Sequence, residues 1–290
     1  MKNAFYLPLT ATPFKYNSRY KEVLPANMEL TEYIRCFWGS TKPYIQKGKE
    51  SVAGIIIPDT CVDIIYYIDH TENSVTGGFC GISDMSFVED VSAKPGHLVS
   101  MFAIRFYAWG VYAFSEDSLK GSLNEYCGIE SRFQKLDRIL RPQLLDYSLM
   151  QERIRIAEKF FLGQMLYLRQ NDIINRAVRE IVSCKGTLSV SGLTEECFVS
   201  SRQLERLFHE YIGITPKKLC NLVRYQCLWN EILRNPGFQI LDAVERYGYT
   251  DQSHLMREFK RYHTMDIGKA KMYACHNVEN IQYIHRESPV

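Results

Sequence analysis

The stretch QILDAVERYGYTDQSHLMREFKR, residues 239–261, reads as two short helices around a tight turn. Ile240, Ala243 and Val244 give the first helix an apolar face, Gly248 permits the positive φ of a sharp turn, and Asp251 is placed to cap the second helix. That second helix is predicted from Gln252 to about Tyr262. Leu255, Met256 and Phe259 share one face at helical spacing, which leaves Gln252, Ser253, His254 and Arg257 to project outward from its first turns. Hydrogen-bonding side chains at the exposed start of such a helix suit a reader of the DNA major groove. Two amphipathic helices joined by glycine are also ordinary bundle structure, so the pattern alone leaves both readings standing.

Working outward, LTEECFVSSRQLERLFHEYIGITP, residues 193–216, repeats the arrangement. Ser200 and Gln203 form a Ser-x-x-Gln capping box that fixes the helix start. Leu204, Leu207 and Phe208 then face a core, while Arg202, Glu205 and Arg206 face away from it. Between the copies, Pro216 to Leu233 reads as one long helix with Leu219, Leu222, Val223, Gln226 and Trp229 near one stripe, ended by Asn235, Pro236 and Gly237. Two reading helices on one rigid arm can enter successive major-groove faces about 34 Å apart, so a single chain can recognise an asymmetric site.

The wording of both copies carries a resemblance. Residues 248–261 closely resemble the second DNA-binding motif of AraC/XylS-type transcription regulators. Residues 193–216 resemble the first, typified by Ser-x-Arg-Gln-Leu-x-Arg-x-Phe-x-x-x-x-Gly-x-x-Pro. The resemblance implies base contacts from Arg202, Glu205 and Arg206 in the first motif and from Gln252, Ser253, His254 and Arg257 in the second. The chemistry is compatible: arginine bridges guanine O6 and N7, glutamine pairs with adenine, and glutamate accepts from cytosine N4. Glu205 serves equally well as a brace for Arg202 or Arg206. Lys217, Lys218, Arg224, Lys260 and Arg261 are candidates for phosphate contacts, which position without specifying. Thr194 and Phe198 stand where the family has Ala and Gly, leaving the first turn without an evident positive-φ residue. After the second motif the usual Gly-x-x-Pro becomes Thr264-Met265-Asp266-Ile267.

At 290 residues with 46% hydrophobic composition, the chain is long enough for two packed domains. Positive and negative side chains balance over residues 1–170, and the small basic excess falls in 171–275, with the repeat. Nine cysteines without a Cys-x-x-Cys pair, and an opening without a long apolar run, suggest a cytoplasmic chain with free thiols and no secretion signal. The longest apolar stretches, Ile55–Ile57 and Ile64–Ile68, are far too short to cross a bilayer.

Up to about Phe106 the pattern is mostly β: Tyr33–Trp38, Gly54–Ile57, Asp63–Ile68, Thr76–Cys80, Asp84–Val91 and Val99–Phe106 are short runs punctuated by Pro43, Pro58, Gly77-Gly78 and Pro95-Gly96. Many short strands suggest a sandwich or small barrel. Residues 58–66, PDTCVDIIY, loosely resemble a Pro-Asp-Gly-x-x-Asp strand in the N-terminal domains of one branch of the family, with Thr60 for Gly. Residues 104–110 stand where that branch has Phe-x-Pro-Gly, without its proline. Asp59 and Asp63 read as structural residues of a turn-to-strand junction, with polar ligand contact as the alternative. His70 and His97 are isolated, so no metal site is expected. From Tyr107 to Gln170 the period becomes helical, over Leu119–Tyr126, Ile129–Leu140 and Ser148–Leu168. The stripe Ile154, Ala157, Phe161, Met165 and Leu168 serves either its own domain or a second subunit.

The expected fold class is α+β: a β-rich, cupin-like or barrel domain with helices (1–170), an all-α double helix-turn-helix domain on a long linker helix (171–275), and a tail (276–290). The expected function is a sequence-specific, effector-responsive DNA-binding transcription regulator that is not an enzyme and uses no cofactor. Its partners would be double-stranded DNA, a small-molecule effector in the N-terminal domain, a second copy of the chain and, for an activator, RNA polymerase, with no membrane. Two rivals are a ligand-binding or protein-interaction module with decayed DNA binding, and a DNA-repair methyltransferase fused to the same domain. The methyltransferase requires clustered zinc-binding cysteines near the N-terminus and a reactive Pro-Cys-His-type site, and the sequence has neither.

Overall fold

The computed structural model describes residues 6–9, 11–12, 20–47, 55–88 and 94–275. The tail 276–290 and the end of the strand expected at Asp84–Val91 lie outside the described residues. Among the described residues the strands are β1 Ala11–Thr12, β2 Tyr20–Val23, β3 Ile34–Ser40, β4 Tyr44–Ile45, β5 Ile55–Ile56, β6 Cys61–Asp69, β7 Ser74–Cys80, β8 Phe87–Val88, β9 Leu98–Tyr107 and, after a short helix, β10 Tyr126–Gly128. The helices are α1 Ala108–Val111, α2 Gln134–Asp146, α3 Met150–Gln164, α4 Asp172–Ser183, α5 Val190–Cys197, α6 Ser201–Tyr211, α7 Pro216–Arg234, α8 Ile240–Arg246, α9 Gln252–His263 and α10 Ile267–Cys275. The class is α+β, an antiparallel β-rich region followed by an all-helical one.

The large sheet runs in the order β10-β7-β6-β9-β3-β2, with β4 also on β9; β1, β5 and β8 form a second, smaller sheet. Alternation along β6 decides what faces the helices. Val62, Ile64, Tyr66 and Ile68 are buried, while Asp63, Ile65 and Tyr67 between them are partly exposed. Register sets Ile64 opposite Ile104 and Tyr66 opposite Phe102. Phe106 and Phe114 both pack edge-on against Phe161 of α3, and Phe106 stacks on Phe133 just before α2. Ile154, Ala157 and Phe161 are thus spent on the domain's own core, and Met165 and Leu168 pack against it.

Residues 119–126 correct the helix expected there. Gly121 and Asn124 take left-handed backbone, with φ of 84° and 57°, and the amides of Leu119 and Asn124 donate to Glu210 O and Ile82 O. A helix interior tolerates neither. The expected strand at 84–91 is formed only at Phe87–Val88 among the described residues.

The two regions share one continuous apolar core, from Tyr6 to Ala274. Within it sits the amide of Gln226, fully buried on α7. Its Oε1 accepts from Leu9 N at 2.7 Å, and its Nε2 donates to Leu9 O at 2.9 Å and to Pro58 O at 2.6 Å. The one polar side chain in the apolar stripe of the linker helix therefore satisfies three buried backbone groups of the N-terminal region.

Two turns carry unusual backbone. Phe198, where the family resemblance calls for Gly, itself adopts φ 55° and closes the turn between α5 and α6, which corrects the expectation that no positive-φ residue is available. Thr264, at the departure after the second motif, ends α9 at φ 64°. A β-branched residue in this region is strained. Thr264→Gly is expected to raise stability by about 1 kcal/mol, read as a higher unfolding midpoint. Gln226→Leu should cost about 3 kcal/mol by orphaning the Leu9 and Pro58 groups, measured by denaturant unfolding; an unchanged midpoint would refute the bridging role.

Candidate nucleic-acid interface

Four local devices set the geometry of the double motif. Ser200 Oγ accepts from Gln203 N at 3.2 Å and starts α6; Asp251 Oδ1 accepts from His254 N at 2.7 Å and starts α9. For Gln203 no reciprocal side-chain bond is described, and its side chain is exposed. Thr215 caps α7 ahead of Pro216, and Asn235 ends it.

Each of the two capped helices α6 and α9 has its apolar side buried. On α6, Leu204, Leu207 and Phe208 are buried while Arg202, Gln203, Glu205 and Arg206 are exposed. On α9, Leu255 and Phe259 are buried, Gln252, Ser253 and Arg257 are exposed, and His254 is half-buried. His254 turns back so that Nδ1 accepts from Thr250 N at 3.3 Å, its ring edge-on to Tyr249. Arg206 has an ion-pair partner in Glu210, one helical turn on, at 3.9 Å.

The candidate phosphate contacts fall into two groups. Lys217, Lys260 and Arg261 are exposed. Lys218 forms an ion pair with Asp84 in the β-rich region. Arg224 lies over the Tyr249 ring, 4.5 Å from its centroid, and grips both carboxylate oxygens of Glu258 at 2.8 and 2.7 Å. Tyr249 OH donates to the same carboxylate at 2.9 Å. Arg224 thereby welds the linker helix to α9. Beneath α9, burial pushes His263 down to about 4, and its Nδ1 is paired with Tyr225 OH at 2.8 Å. A neutral imidazole therefore fills that part of the core at ordinary pH.

Sequence reasoning missed the acidic partners Asp84, Glu210 and Glu258, which no motif marks. The only signal for the role of Gln226 in the sequence is a lone amide in an apolar stripe. Elsewhere, Asp63 is held by Arg105 at 2.8 Å and by Trp38 Nε1 at 3.0 Å, and Asp59 Oδ1 accepts from Cys61 N at 2.8 Å. Asp69, Glu72 and His97 bring one ligand atom each to within 4.8 Å of one another. Asp69 already accepts from His97 and two backbone amides, and Glu72 pairs with Lys94, so the group reads as a compensated polar network. Among the described residues no helix is long and apolar enough to cross a membrane.

Comparison with known proteins agrees with this geometry. Residues 193–270 match a family model described as a helix-turn-helix domain, and residues 21–127 match a domain of unknown function, DUF6597. No curated protein sequence matches the chain. Solved structures similar to it include an AraC-type transcriptional regulator from Chromobacterium violaceum, at 20% identity, 36% of this chain, 92% of that one and a TM-score of 0.33. The C-terminal domain of the response regulator AraT from Geobacillus stearothermophilus gives 23% identity, 36% and 87% coverage and a TM-score of 0.34. Unsaturated-fatty-acid-bound ToxT from Vibrio cholerae spans 82% of this chain and 95% of its own, at 9% identity and a TM-score of 0.39. Likenesses this slight carry no weight beside the motifs and the family model. Residues 193–270, which hold both capped helices and the linker helix between them, are therefore similar to helix-turn-helix domains.

Proposed function

We propose that the chain is a sequence-specific DNA-binding transcription regulator that places α6 and α9 in successive major grooves. The observation that carries this reading is the pair of capped helices on one linker helix, each with its apolar side buried and its polar side open. Arg202, Glu205, Arg206, Gln252, Ser253 and Arg257 are the proposed base readers. His254 contributes through its Nε2, since Nδ1 is taken by Thr250. Lys217, Lys260 and Arg261 are proposed to hold phosphates. Arg224 is reassigned to bracing, on the strength of its bidentate bond to Glu258. The reading involves no catalytic step and places the protein in the cytoplasm.

The β-rich region is proposed to regulate binding in response to an effector. Support comes from the Lys218–Asp84 pair and from Ser86 Oγ, which donates to Tyr262 O at the end of α9. Both tie the same loop to the double motif. A second copy of the chain as partner finds no support in the α3 stripe, whose residues already serve the core.

A random-oligonucleotide selection tests the whole reading; recovery of no enriched sequence would sink it. On the selected site, Arg257→Ala should cost about 1–3 kcal/mol and relax preference at one base pair, whereas Lys260→Ala should weaken all sequences alike and lower the salt slope by about 1. Titrations at several salt concentrations separate the two.

Burial alone raises the Asp84 carboxyl, but hydrogen bonds from Lys218 and Asn124 outweigh it and hold the pKa below the ordinary carboxylate value. A depressed folded-state pKa stabilises above the unfolded value and is lost as pH falls through the folded one. Asp84→Asn should therefore flatten the stability-against-pH curve below the usual carboxylate range, and by freeing Lys218 it should tighten binding to any DNA sequence. Unchanged affinity for random DNA would show that Lys218 does not compete between the two anions.

A further inference from the structure

The grip of the N-terminal region on the first motif converges on one residue, Glu210, in the last turn of α6. Its carbonyl accepts from Leu119 N at 2.9 Å and from Ser118 Oγ at 3.4 Å. Its carboxylate is shared: Oε1 accepts from Tyr112 OH at 3.3 Å, while Oε2 faces Arg206 Nη1 at 3.9 Å. Tyr112 is itself held by two residues, Tyr211 and Arg169. Its ring centroid lies 4.0 Å from that of Tyr211, the Arg169 guanidinium sits over its ring at 3.8 Å, and Arg169 also donates to its hydroxyl. Arg169 in turn is fixed by the carbonyls of Ser115 and Asp117. The following turn closes the contact, because Gly213, at φ 85°, packs so tightly on Ser122 and Leu119 that a Cβ would meet Ser122 Oγ at 2.2 Å.

Arg206 is 68% exposed at the other end of this chain of contacts. An exposed ion pair adds little to stability. Its consequence is directional: a guanidinium held on one side by a fixed carboxylate presents its remaining donors in fewer orientations, and bidentate readout of a base depends on orientation.

We infer that Glu210 is a positioning residue for DNA readout, which passes the placement of Tyr112 in the N-terminal region to the guanidinium of Arg206 and thereby sets how sharply one base pair is discriminated. The inference rests on the proposed reading that Arg206 contacts a base. It extends that reading by making the sharpness at a single base pair depend on a residue outside the helix-turn-helix domain.

The test compares base-preference profiles of the full chain and its Tyr112→Phe, Glu210→Gln and Arg206→Ala variants, with the selected site mutated one base pair at a time. Tyr112→Phe keeps the ring against Tyr211 and removes only the hydroxyl, and Glu210→Gln keeps the shape and removes the charge. Both should lower discrimination by about threefold at the same base pair that Arg206→Ala flattens, leaving preferences elsewhere and binding to random DNA by Tyr112→Phe unchanged. A merely structural role would shift all positions together, and that outcome overturns the inference. Sharp wild-type discrimination in both variants at a position Arg206→Ala does flatten also overturns it, while leaving Arg206 a reader. An unaltered profile in Arg206→Ala removes the base contact itself, and the inference with it.

Discussion

The buried amide of Gln226 is the constraint on which the arrangement of the whole molecule depends. A primary amide matches a backbone peptide in donor and acceptor, so it can take both groups of Leu9 and still reach Pro58. Burying that amide costs free energy unless every bond is made, and every bond here goes to the N-terminal region. The linker helix is therefore tied to the β-rich region at its middle, while the two helix-turn-helix motifs lie at its two ends. Asn230, one turn further along, adds a bond to Leu7 O at 3.2 Å.

From that tie, rigidity propagates outward by different chemistry in each arm. The second arm is braced by charge within its own domain, through Arg224, Glu258 and Tyr249, with Tyr247 and Glu231 repeating the device at 2.8 Å further along α7. The first arm takes its bracing from the N-terminal region, through contacts made by Glu210, Tyr211 and Gly213. The two arms differ in what holds them even though their sequences repeat.

Local signals made the helical half legible. Ser200, Asp251, Thr215-Pro216 and Asn235-Pro236 mark ends by chemistry that acts within a few residues, and the period of apolar residues between them leaves little choice. The strands of the large sheet were legible for the same reason, since the alternation along β6 and the unbroken buried run of β9 are properties of neighbours. Residues 119–126 misled because Leu119 and Leu123 are spaced like a helix face, whereas the structure uses Gly121 and Asn124 to turn the chain and lends its amides to distant carbonyls. Phe198 misled in the opposite sense: a turn that prefers glycine was made without one, the strain being carried by the helices on either side. Pairs such as Asp84 with Lys218 and Tyr112 with Glu210 join residues 134 and 98 positions apart, and no periodicity or motif encodes such a partner.

The Lys218–Asp84 pair also bears on the ionic atmosphere of the DNA. A lysine already neutralised by a carboxylate displaces no condensed counterion, and each phosphate neutralised contributes about 0.9 to the exponent of the salt dependence. A chain that binds with this pair intact and one that binds after breaking it would thus release different numbers of ions at the same sequence. The steepness of the salt dependence becomes a gauge of whether the Lys218–Asp84 contact is open, without any label on the protein.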